Sequence, residues 1–194
     1  MNILLLGATG SIGDSVLSVI KENHSELNLF GITFHKNKNK SQEIIKDFKP
    51  EFAYVEDRST FEDLKDTGDI TFLNGDSSLK ELIEHDDVDI IISAISGFAG
   101  LKATYLAAST GKKILLANKE SIVAGGDLIT ARAKKFNSKI IPIDSEHNAI
   151  FQCLSGERSS DDVQKIIITA SGGPFIGKKI SDLKDVTLSL IHIS

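Results

Sequence analysis

Short apolar runs rich in Ile, Leu and Val recur at fairly regular distances along the chain and constrain its fold more than any other feature. Several runs are continuous rather than alternating in polarity, which is typical of strands in a parallel sheet with both faces covered by helices. The predicted strands are Asn2–Leu6, Leu27–Phe34, Phe52–Val55, Ile70–Leu73, Val88–Ile95, Lys112–Ala117, Lys139–Ile143 and Gln164–Ala170.

Segments of helical character lie between these strands, and serine or aspartate stands at the start of most of them, as expected of helix caps. The predicted helices are Ser11–Asn23, Ser41–Phe48, Ser59–Lys65, Ser77–His85, Leu101–Thr110, Asp127–Phe136 and His147–Leu154. The alternation of strand and helix through about residue 143 predicts a doubly wound α/β domain with a parallel sheet.

The composition narrows the class of protein. Of the 194 residues, 41% are apolar and 25% are charged, so the chain can bury a large core. No apolar run approaches the roughly 20 residues that cross a bilayer, and the N-terminal segment lacks signal-peptide features, so a cytoplasmic location is expected. The formal charge of −5 argues against nucleic acid and favours a small-molecule partner. The single cysteine, Cys153, excludes an internal disulfide and is expected to pack in the core.

The first strand runs directly into a glycine-rich turn, Gly7-Ala8-Thr9-Gly10-Ser11-Ile12-Gly13, and a helix follows at once. Glycine allows a tight turn and lets the backbone approach a diphosphate, whose charge is stabilised by free N–H groups at the helix N-terminus. The G-x-x-G-x-x-G spacing is a variant of the dinucleotide-binding pattern. The turn is therefore predicted to bind a dinucleotide, and the alternative is a strand-to-helix turn without a ligand.

The second strand ends in a basic run instead of the carboxylate that holds the ribose hydroxyls of NAD. A carboxylate would repel a 2′-phosphate, whereas Lys36, Lys38 or Lys40 would attract it. The chain is therefore expected to prefer NADP. The alternative is a solvated lysine loop.

Polar loops follow three later strands, and because the carboxyl ends of parallel strands share one edge, these loops are expected to face the glycine-rich turn. Lys119 is a candidate to hold an oxyanion or a phosphate. Asp144 and Glu146 are hard oxygen donors that suit Mg²⁺ or Mn²⁺, and the alternative for this pair is an exposed helix cap. Ser171, in a Ser-Gly-Gly-Pro segment, belongs either to a phosphate-binding nest or to a tight turn. The position of His147 at a helix start favours support of the loop over a role as ligand or base.

Four motifs stand in order along the chain: Gly-Ala-Thr-Gly-Ser-Ile-Gly at 7–13, Leu-Leu-Ala-Asn-Lys-Glu-Ser at 115–121, Pro-Ile-Asp-Ser-Glu-His-Asn-Ala-Ile-Phe-Gln at 142–152 and Thr-Ala-Ser-Gly-Gly-Pro-Phe at 169–175. Together they resemble the 1-deoxy-D-xylulose 5-phosphate reductoisomerase family, from Met1 to about Asp185. The resemblance implies NADPH-dependent conversion of 1-deoxy-D-xylulose 5-phosphate to 2-C-methyl-D-erythritol 4-phosphate in non-mevalonate isoprenoid biosynthesis, with a divalent cation and, in full-length members, a homodimer. It also implies an NADP-binding domain over residues 1–143 and the beginning of an α+β catalytic domain over residues 144–194.

The resemblance assigns roles residue by residue. The residues that match NADPH-binding positions are Thr9, Gly10, Ser11, Ile12, Lys36, Asn37, Asn118 and Glu120. Those that match substrate-binding positions are Lys119, Ser145, Glu146 and Ser171, of which Lys119 and Glu146 are expected to be catalytic. Asp144 and Glu146 match two metal ligands. His35 departs from the family, because many members have glycine there.

Family members are about twice as long, and residues 188–194 do not resemble the family's continuation, so we expect a truncated or frame-shifted product. Three functions then remain open. The chain represents the parent reductoisomerase, or it is a catalytically silent NADP-binding module, because an open pocket with two metal carboxylates does not exclude water. The third is another NADP-dependent reductase, such as a semialdehyde dehydrogenase, which would need a nucleophilic cysteine beside the nicotinamide.

Overall fold

The computed structural model describes residues 1–154, 163–168 and 175–187. Its strands are β1 (Asn2–Leu6), β2 (Asn28–Phe34), β3 (Phe52–Val55), β4 (Thr71–Leu73), β5 (Ile90–Ser93), β6 (Lys113–Leu116) and β7 (Lys139–Pro142). Its helices are α1 (Ser11–Glu22), α2 (Lys38–Phe48), α3 (Arg58–Leu64), α4 (Asp76–Glu84), α5 (Leu101–Ala107), α6 (Lys119–Phe136) and α7 (Ser145–Leu154), with 3₁₀ turns at Phe98–Gly100 and Ile180–Leu183.

The seven strands form one parallel sheet in the order β4-β3-β2-β1-β5-β6-β7. The chain builds the sheet outward from β1 to β4, then returns to the other side of β1 and continues from β5 to β7. The order of the strands therefore reverses between β1 and β5, which is where ligands bind in open α/β sheets. The predicted doubly wound parallel sheet is confirmed.

The core consists of two apolar layers, one on each face of the sheet. Leu5 packs in one layer with residues of α1, α2 and α3, whereas Leu4 and Leu6 pack in the other with residues of α4, α5 and α6. All three leucines of β1 are fully buried. Each contributes about 2 kcal/mol relative to an exposed leucine, so the continuous apolar run of β1 is explained by helices on both faces.

Helix starts differ from the prediction at several positions. Serine caps none of α1 to α6: the side chains of Asn37, Asp57 and Asn118 cap α2, α3 and α6, while α1, α4 and α5 follow a glycine. Asn and Asp accept hydrogen bonds from the first-turn N–H groups as well as serine does. As a consequence, α2 begins at Lys38, inside the run predicted as a loop.

Two further elements were predicted wrongly. Helix α6 begins at Lys119 rather than at Asp127, because it continues through a kink at Gly125, where the backbone is not helical. The predicted strand Gln164–Ala170 is not formed in its described part, since residues 163–168 pair with no strand among the described residues and Ile166, Ile167 and Ile168 are exposed. Its last two residues, Thr169 and Ala170, lie outside the described residues.

The chain divides into a unit over Met1–Phe151, which holds the whole sheet, and a unit over Gln152–Ser194. The described part of the second unit includes the end of α7 and the 3₁₀ turn Ile180–Leu183. None of the described helices is both long enough and apolar enough to cross a membrane.

A pair of glycine substitutions tests how closely the turn after β1 is packed. Gly7 and Gly68 both have a positive φ, +88° and +78°, but a Cβ on Gly7 would lie 2.8 Å from the Ala94 backbone, whereas one on Gly68 would meet nothing within 4 Å. We expect Gly68→Ala to lower the free energy of unfolding by about 1 kcal/mol. Gly7→Ala should cost at least about 2 kcal/mol more because the β5 backbone must move. Urea unfolding measures both, and equal losses would contradict this packing.

Candidate functional site

Two neighbouring clefts open at the carboxyl edge of the sheet. The β2 cleft, of about 570 Å³, is lined by the turn after β1 together with His35, Tyr54 and Glu56. The β7 cleft, of about 380 Å³, is lined by Ile12 and by the residues that begin α6 and α7. Residues 94–96 line both clefts, so the segment after β5 forms a wall between them. We call residues 94–97 the β5 loop.

The turn after β1 is held on two sides. The N–H of Gly7 donates to the carbonyl and hydroxyl oxygens of Thr33, at 3.1 and 3.0 Å, and the N–H of Ala8 donates to the same carbonyl at 2.9 Å. On the other side, only a glycine at position 7 leaves room for the backbone of the β5 loop. A Cβ on Gly13 would lie 2.3 Å from the Ala8 carbonyl oxygen, so this glycine is required by the turn itself.

Gly10 differs from these two glycines, because a Cβ there would make only ordinary contacts, at 3.4 Å or more from any protein atom. Gly10 precedes α1, and no side chain caps that helix. The first-turn N–H groups of α1 therefore have no side-chain acceptor, which is the arrangement that binds a phosphate at a helix N-terminus. The turn and the helix together fit a diphosphate.

At the end of β2, carboxylates neutralise two of the three lysines. Lys38 forms an ion pair with Asp63 at 3.3 Å, and Lys40 pairs with Asp14 of α1 at 2.6 Å. Lys36 is exposed and forms no ion pair with any described residue. Asn37 accepts a hydrogen bond from the Lys40 N–H and thereby caps α2. Lys36 is thus the cation that this loop offers to an anionic group.

The carboxylate that lines the β2 cleft, Glu56, directly follows β3 rather than β2. Glu56 accepts a hydrogen bond of 2.8 Å from the Tyr54 hydroxyl. Burial, followed by the hydrogen bond to Glu56 and its negative charge, raises the pKa of Tyr54 well above its ordinary value. Neither residue was predicted to lie at the site, because a Tyr-x-Glu sequence at the end of a strand carries no distinctive signal.

The β7 cleft brings together the polar residues predicted after β6 and β7. Lys119 Nζ lies 3.9 Å from Glu146 Oε2, and the Ser145 hydroxyl donates to the same oxygen at 3.1 Å. The pKa of Glu146 is lowered by its own backbone N–H, by the Ser145 hydroxyl and by the charge of Lys119, against the opposing effect of Asp144. The cleft therefore presents an ionised carboxylate beside an ammonium group.

Asp144 has a structural role at the start of α7. Its Oδ2 lies 2.5 Å from His147 Nδ1 and accepts from the His147 N–H, while Oδ1 bonds to no other described residue. His147 thus supports the loop, as expected. Asp144 Oδ1 and the Glu146 carboxylate are donors of the type that Mg²⁺ prefers. Within the described ranges, however, no three His, Cys, Asp or Glu side chains cluster closely enough to hold a metal by themselves.

Comparison with known proteins identifies the family. Residues 3–126 match the family model of 1-deoxy-D-xylulose 5-phosphate reductoisomerase, and residues 140–192 match the model of that enzyme's C-terminal domain. The chain belongs to the 1-deoxy-D-xylulose 5-phosphate reductoisomerase family. The reductoisomerase of Francisella tularensis subsp. novicida (strain U112) is 48% identical over 188 residues, which are 95% of this chain and 49% of that protein. The chain therefore spans about half the length of this relative.

Solved reductoisomerase structures share the fold. The enzyme from Zymomonas mobilis in complex with NADPH is 37% identical with a TM-score of 0.86, over 96% of this chain and 49% of that one. A reductoisomerase in complex with NADPH, fosmidomycin and magnesium is 37% identical with a TM-score of 0.85, over 98% of this chain and 50% of that one. The Rossmann-like α/β fold expected from the sequence is thereby confirmed.

The residues that the reductoisomerase resemblance assigned fall into four groups. Thr9 and Gly10 line the β2 cleft. The β7 cleft is lined by Ile12, Asn118, Lys119, Glu120, Asp144, Ser145 and Glu146. Ser11 begins α1 between the two clefts, and Lys36 and Asn37 follow the lining residue His35. Ser171 lies outside the described residues. Cys153 was wrongly expected to be buried, since it is exposed on α7, a helix with no buried residue.

The Tyr54–Glu56 hydrogen bond predicts an alkaline titration. In a Tyr105→Phe background, Tyr54 is the only tyrosine of the chain, and its ionisation should begin well above the ordinary tyrosine range. Glu56→Gln should move that ionisation to lower pH, because the variant removes a negative charge next to the phenolate. Stopped-flow pH jumps, followed by tyrosinate absorbance before the chain unfolds, measure the shift. An upward shift, or none, would contradict the hydrogen bond.

Proposed function

We propose that this chain binds NADPH across its two clefts and carries out the NADPH-dependent step of a 1-deoxy-D-xylulose 5-phosphate reductoisomerase. The observation that carries the proposal is the uncapped N-terminus of α1 behind the turn at 7–13, at the point where the strand order reverses. Membership of the reductoisomerase family and the complexes of two relatives with NADPH support it.

The diphosphate of NADPH is proposed to bind at the residues of the turn after β1. Thr9, Gly10, Ser11 and Ile12 surround the first N–H groups of α1, which attract negative charge through their partial positive charges. Gly10 keeps this surface free of a side chain, although its own packing would tolerate a Cβ. We infer that position 10 is glycine because the ligand, rather than the protein, occupies that space.

The adenosine end of NADPH is proposed to bind at the residues that follow β2. Lys36 and Asn37 are proposed to bind the 2′-phosphate, because β2 ends without the carboxylate of NAD-specific domains and because Lys36 has no competing ion pair among the described residues. Lys38 and Lys40 already face Asp63 and Asp14, so we assign the preference for NADP to Lys36 alone of the three lysines.

Reversal of the charge at Lys36 tests this assignment. Lys36→Glu should weaken the binding of NADPH at least about tenfold while changing the affinity for NADH by less than about threefold, since only NADPH carries the 2′-phosphate. Lys46→Glu is the matched control, because it makes the same charge change on the exposed face of α2 in its last turn. Fluorescence titration measures both cofactors, and equal losses for NADPH and NADH would contradict the role of Lys36.

The substrate end is proposed to lie in the β7 cleft. Lys119 holds an anionic oxygen of the sugar phosphate, Glu146 fixes the orientation of the reacting end, and Ser145 binds a substrate oxygen. Ser171, which lies outside the described residues, is proposed as a further substrate-binding residue from the family resemblance alone. Asp144 and Glu146 are proposed as two ligands of Mg²⁺ or Mn²⁺. Bound NADPH supplies the hydride and the cation supplies a Lewis acid, whereas the chain itself supplies position and charge.

A second candidate function is binding of NADP without turnover. It is favoured by the arrangement of the carboxylates, since no three metal-binding side chains lie close enough together to hold a metal within the described part of the chain. Another NADP-dependent reductase, such as a semialdehyde dehydrogenase, has less support, because Cys153 lies within α7 rather than on a loop beside a cleft.

An assay of turnover separates the two main candidates. The purified chain is mixed with NADPH, Mn²⁺ and 1-deoxy-D-xylulose 5-phosphate, and the nicotinamide absorbance is followed with Lys119→Met as the control. Turnover that falls at least about 100-fold in the control supports the reductoisomerase. Binding of NADPH without turnover supports the silent module, and failure of NADPH to bind overturns both.

The remaining features of the proposal concern the whole protein. We propose a boundary between the NADP-binding domain and the beginning of the catalytic domain at residues 143 and 144. We also propose a cytoplasmic location, a sugar phosphate as the small-molecule substrate without a nucleic-acid or membrane partner, and a homodimer of the full-length enzyme. The acidic net charge supports the absence of a nucleic-acid partner.

A further inference from the structure

Four polar side chains are buried behind the β5 loop. Ser93, Thr104, Asn118 and Ser121 each expose at most 2% of their surface. They come from the end of β5, from α5, from the residue before α6 and from the first turn of α6. Buried polar groups are costly unless each finds a hydrogen-bond partner, so the partners of this cluster indicate what it holds in place.

The Asn118 side chain uses all of its hydrogen-bonding groups inside the protein. Its Nδ2 donates to the carbonyl oxygens of Ile95 and of Gly97, the latter at 2.9 Å. Its Oδ1 accepts from the Ser121 N–H at 2.8 Å and from the Ser121 hydroxyl. A primary amide has two N–H donors and two acceptor positions, so none remains for a ligand.

Thr104 and Gly100 support this arrangement from α5. The Thr104 hydroxyl donates to the Gly100 carbonyl oxygen at 2.9 Å and lies 2.8 Å from the Ser93 hydroxyl, which is left to donate to it. A Cβ on Gly100 would lie 2.8 Å from Asn118 Nδ2 and 2.7 Å from the Ile95 carbonyl oxygen. Glycine at position 100 therefore leaves the space in which the amide of Asn118 reaches the β5 loop.

We propose that Asn118 is a positioning residue, which holds the β5 loop in place through its amide, and that its side chain does not contact NADPH. Ser121, Thr104 and Ser93 fix the orientation of this amide. The inference rests on the proposed binding of NADPH and changes the role that the family resemblance gives to Asn118. Because the β5 loop is the wall shared by the β2 and β7 clefts, its position determines how the cofactor passes from one to the other.

The strand order indicates which half of the cofactor depends on this wall. β2 and β5 flank β1 on opposite sides, so a dinucleotide that crosses the turn at 7–13 extends toward β2 at one end and toward β5 at the other. Lys36, after β2, is proposed to hold the adenosine end. The nicotinamide end then lies against the β5 loop. Displacement of that loop therefore weakens the binding of the whole cofactor more than the binding of its adenosine half alone.

Asn118→Asp is the most direct test, because it keeps the oxygen that caps α6 but replaces the N–H donors with an oxygen that repels the two carbonyls. We expect NADPH to bind about tenfold more weakly, while the affinity for adenosine 2′,5′-bisphosphate changes by less than about twofold. Asn23→Asp is the control, since its amide donates to a helix carbonyl at the C-terminus of α1. Titrations are made well below the unfolding temperature of each variant.

Thr104→Val decides between positioning and direct contact, because Thr104 is fully buried and its side chain is therefore inaccessible to a ligand in either cleft. We expect Thr104→Val to weaken the binding of NADPH several-fold and to shift the Gly97 amide signal in NMR spectra. Thr104→Ser, which keeps the hydroxyl, should restore both the affinity and the signal. Thr130→Val, at an exposed threonine of α6, is the control. This variant also decides the question if Asn118→Asp fails to fold.

The outcomes separate this inference from the proposed function. If the unmodified chain does not bind NADPH, the proposed function fails. If the unmodified chain binds NADPH and Thr104→Val binds it equally well, with only a lower unfolding temperature, the cluster is merely structural and the positioning role of Asn118 is overturned. Equal weakening of NADPH and adenosine 2′,5′-bisphosphate by Asn118→Asp would overturn it as well.

Discussion

The contact between the turn after β1 and the backbone after β5 determines where everything else at the carboxyl edge lies. Gly7 has no Cβ, so the backbone at Ala94 and Ile95 packs directly against it, and Thr33 holds the same turn from the side of β2. The start of α1 is therefore fixed between the two halves of the sheet. Without that contact, the β2 and β7 clefts would have neither a common wall nor a helix N-terminus between them.

Ion pairs determine which positively charged side chains near the site remain available to an anionic ligand. Most lysines near the site face a carboxylate, as Lys38 and Lys40 do, and an ion pair that is already formed attracts an incoming anion less strongly. Lys36 and Lys119 are different. The first has no ion pair among the described residues, and the second lies at the long distance of 3.9 Å from Glu146. Two positions along the edge thus retain positive charge for an anionic ligand.

The sequence predicted the sheet well and the helix starts poorly, and the reason is physical. A strand covered on both faces must be apolar throughout, and β1 shows this directly. A helix start depends on one cap, and Asn118 resembled a loop residue until the structure showed its bonds to Ser121. The two glycines at 125 and 126 further concealed the helix, although α6 continues through them.

The candidate site, like the fold, was predicted from the sequence only in part. Residues in motifs, such as Lys119 and Glu146, were placed correctly at one edge because the sheet brings strand ends together. Ser93 and Thr104 were not singled out, since nothing in their neighbourhood distinguishes a buried hydroxyl from an exposed one. Cys153 was misjudged because apolar spacing on α7 predicts an inward face, whereas the described helix has no buried residue.

The parallel pairing of β1 with β5 also bears on the order in which the chain assembles during synthesis. Ile3 pairs with Ile90, so the second neighbour of β1 is made long after β1 itself, and after β2, β3 and β4. Pairings of such long sequence separation form slowly, and an unpaired edge on an apolar strand promotes aggregation. Among the strands that are paired on both sides in the finished sheet, the central strand β1 is therefore the one that waits longest for its second partner.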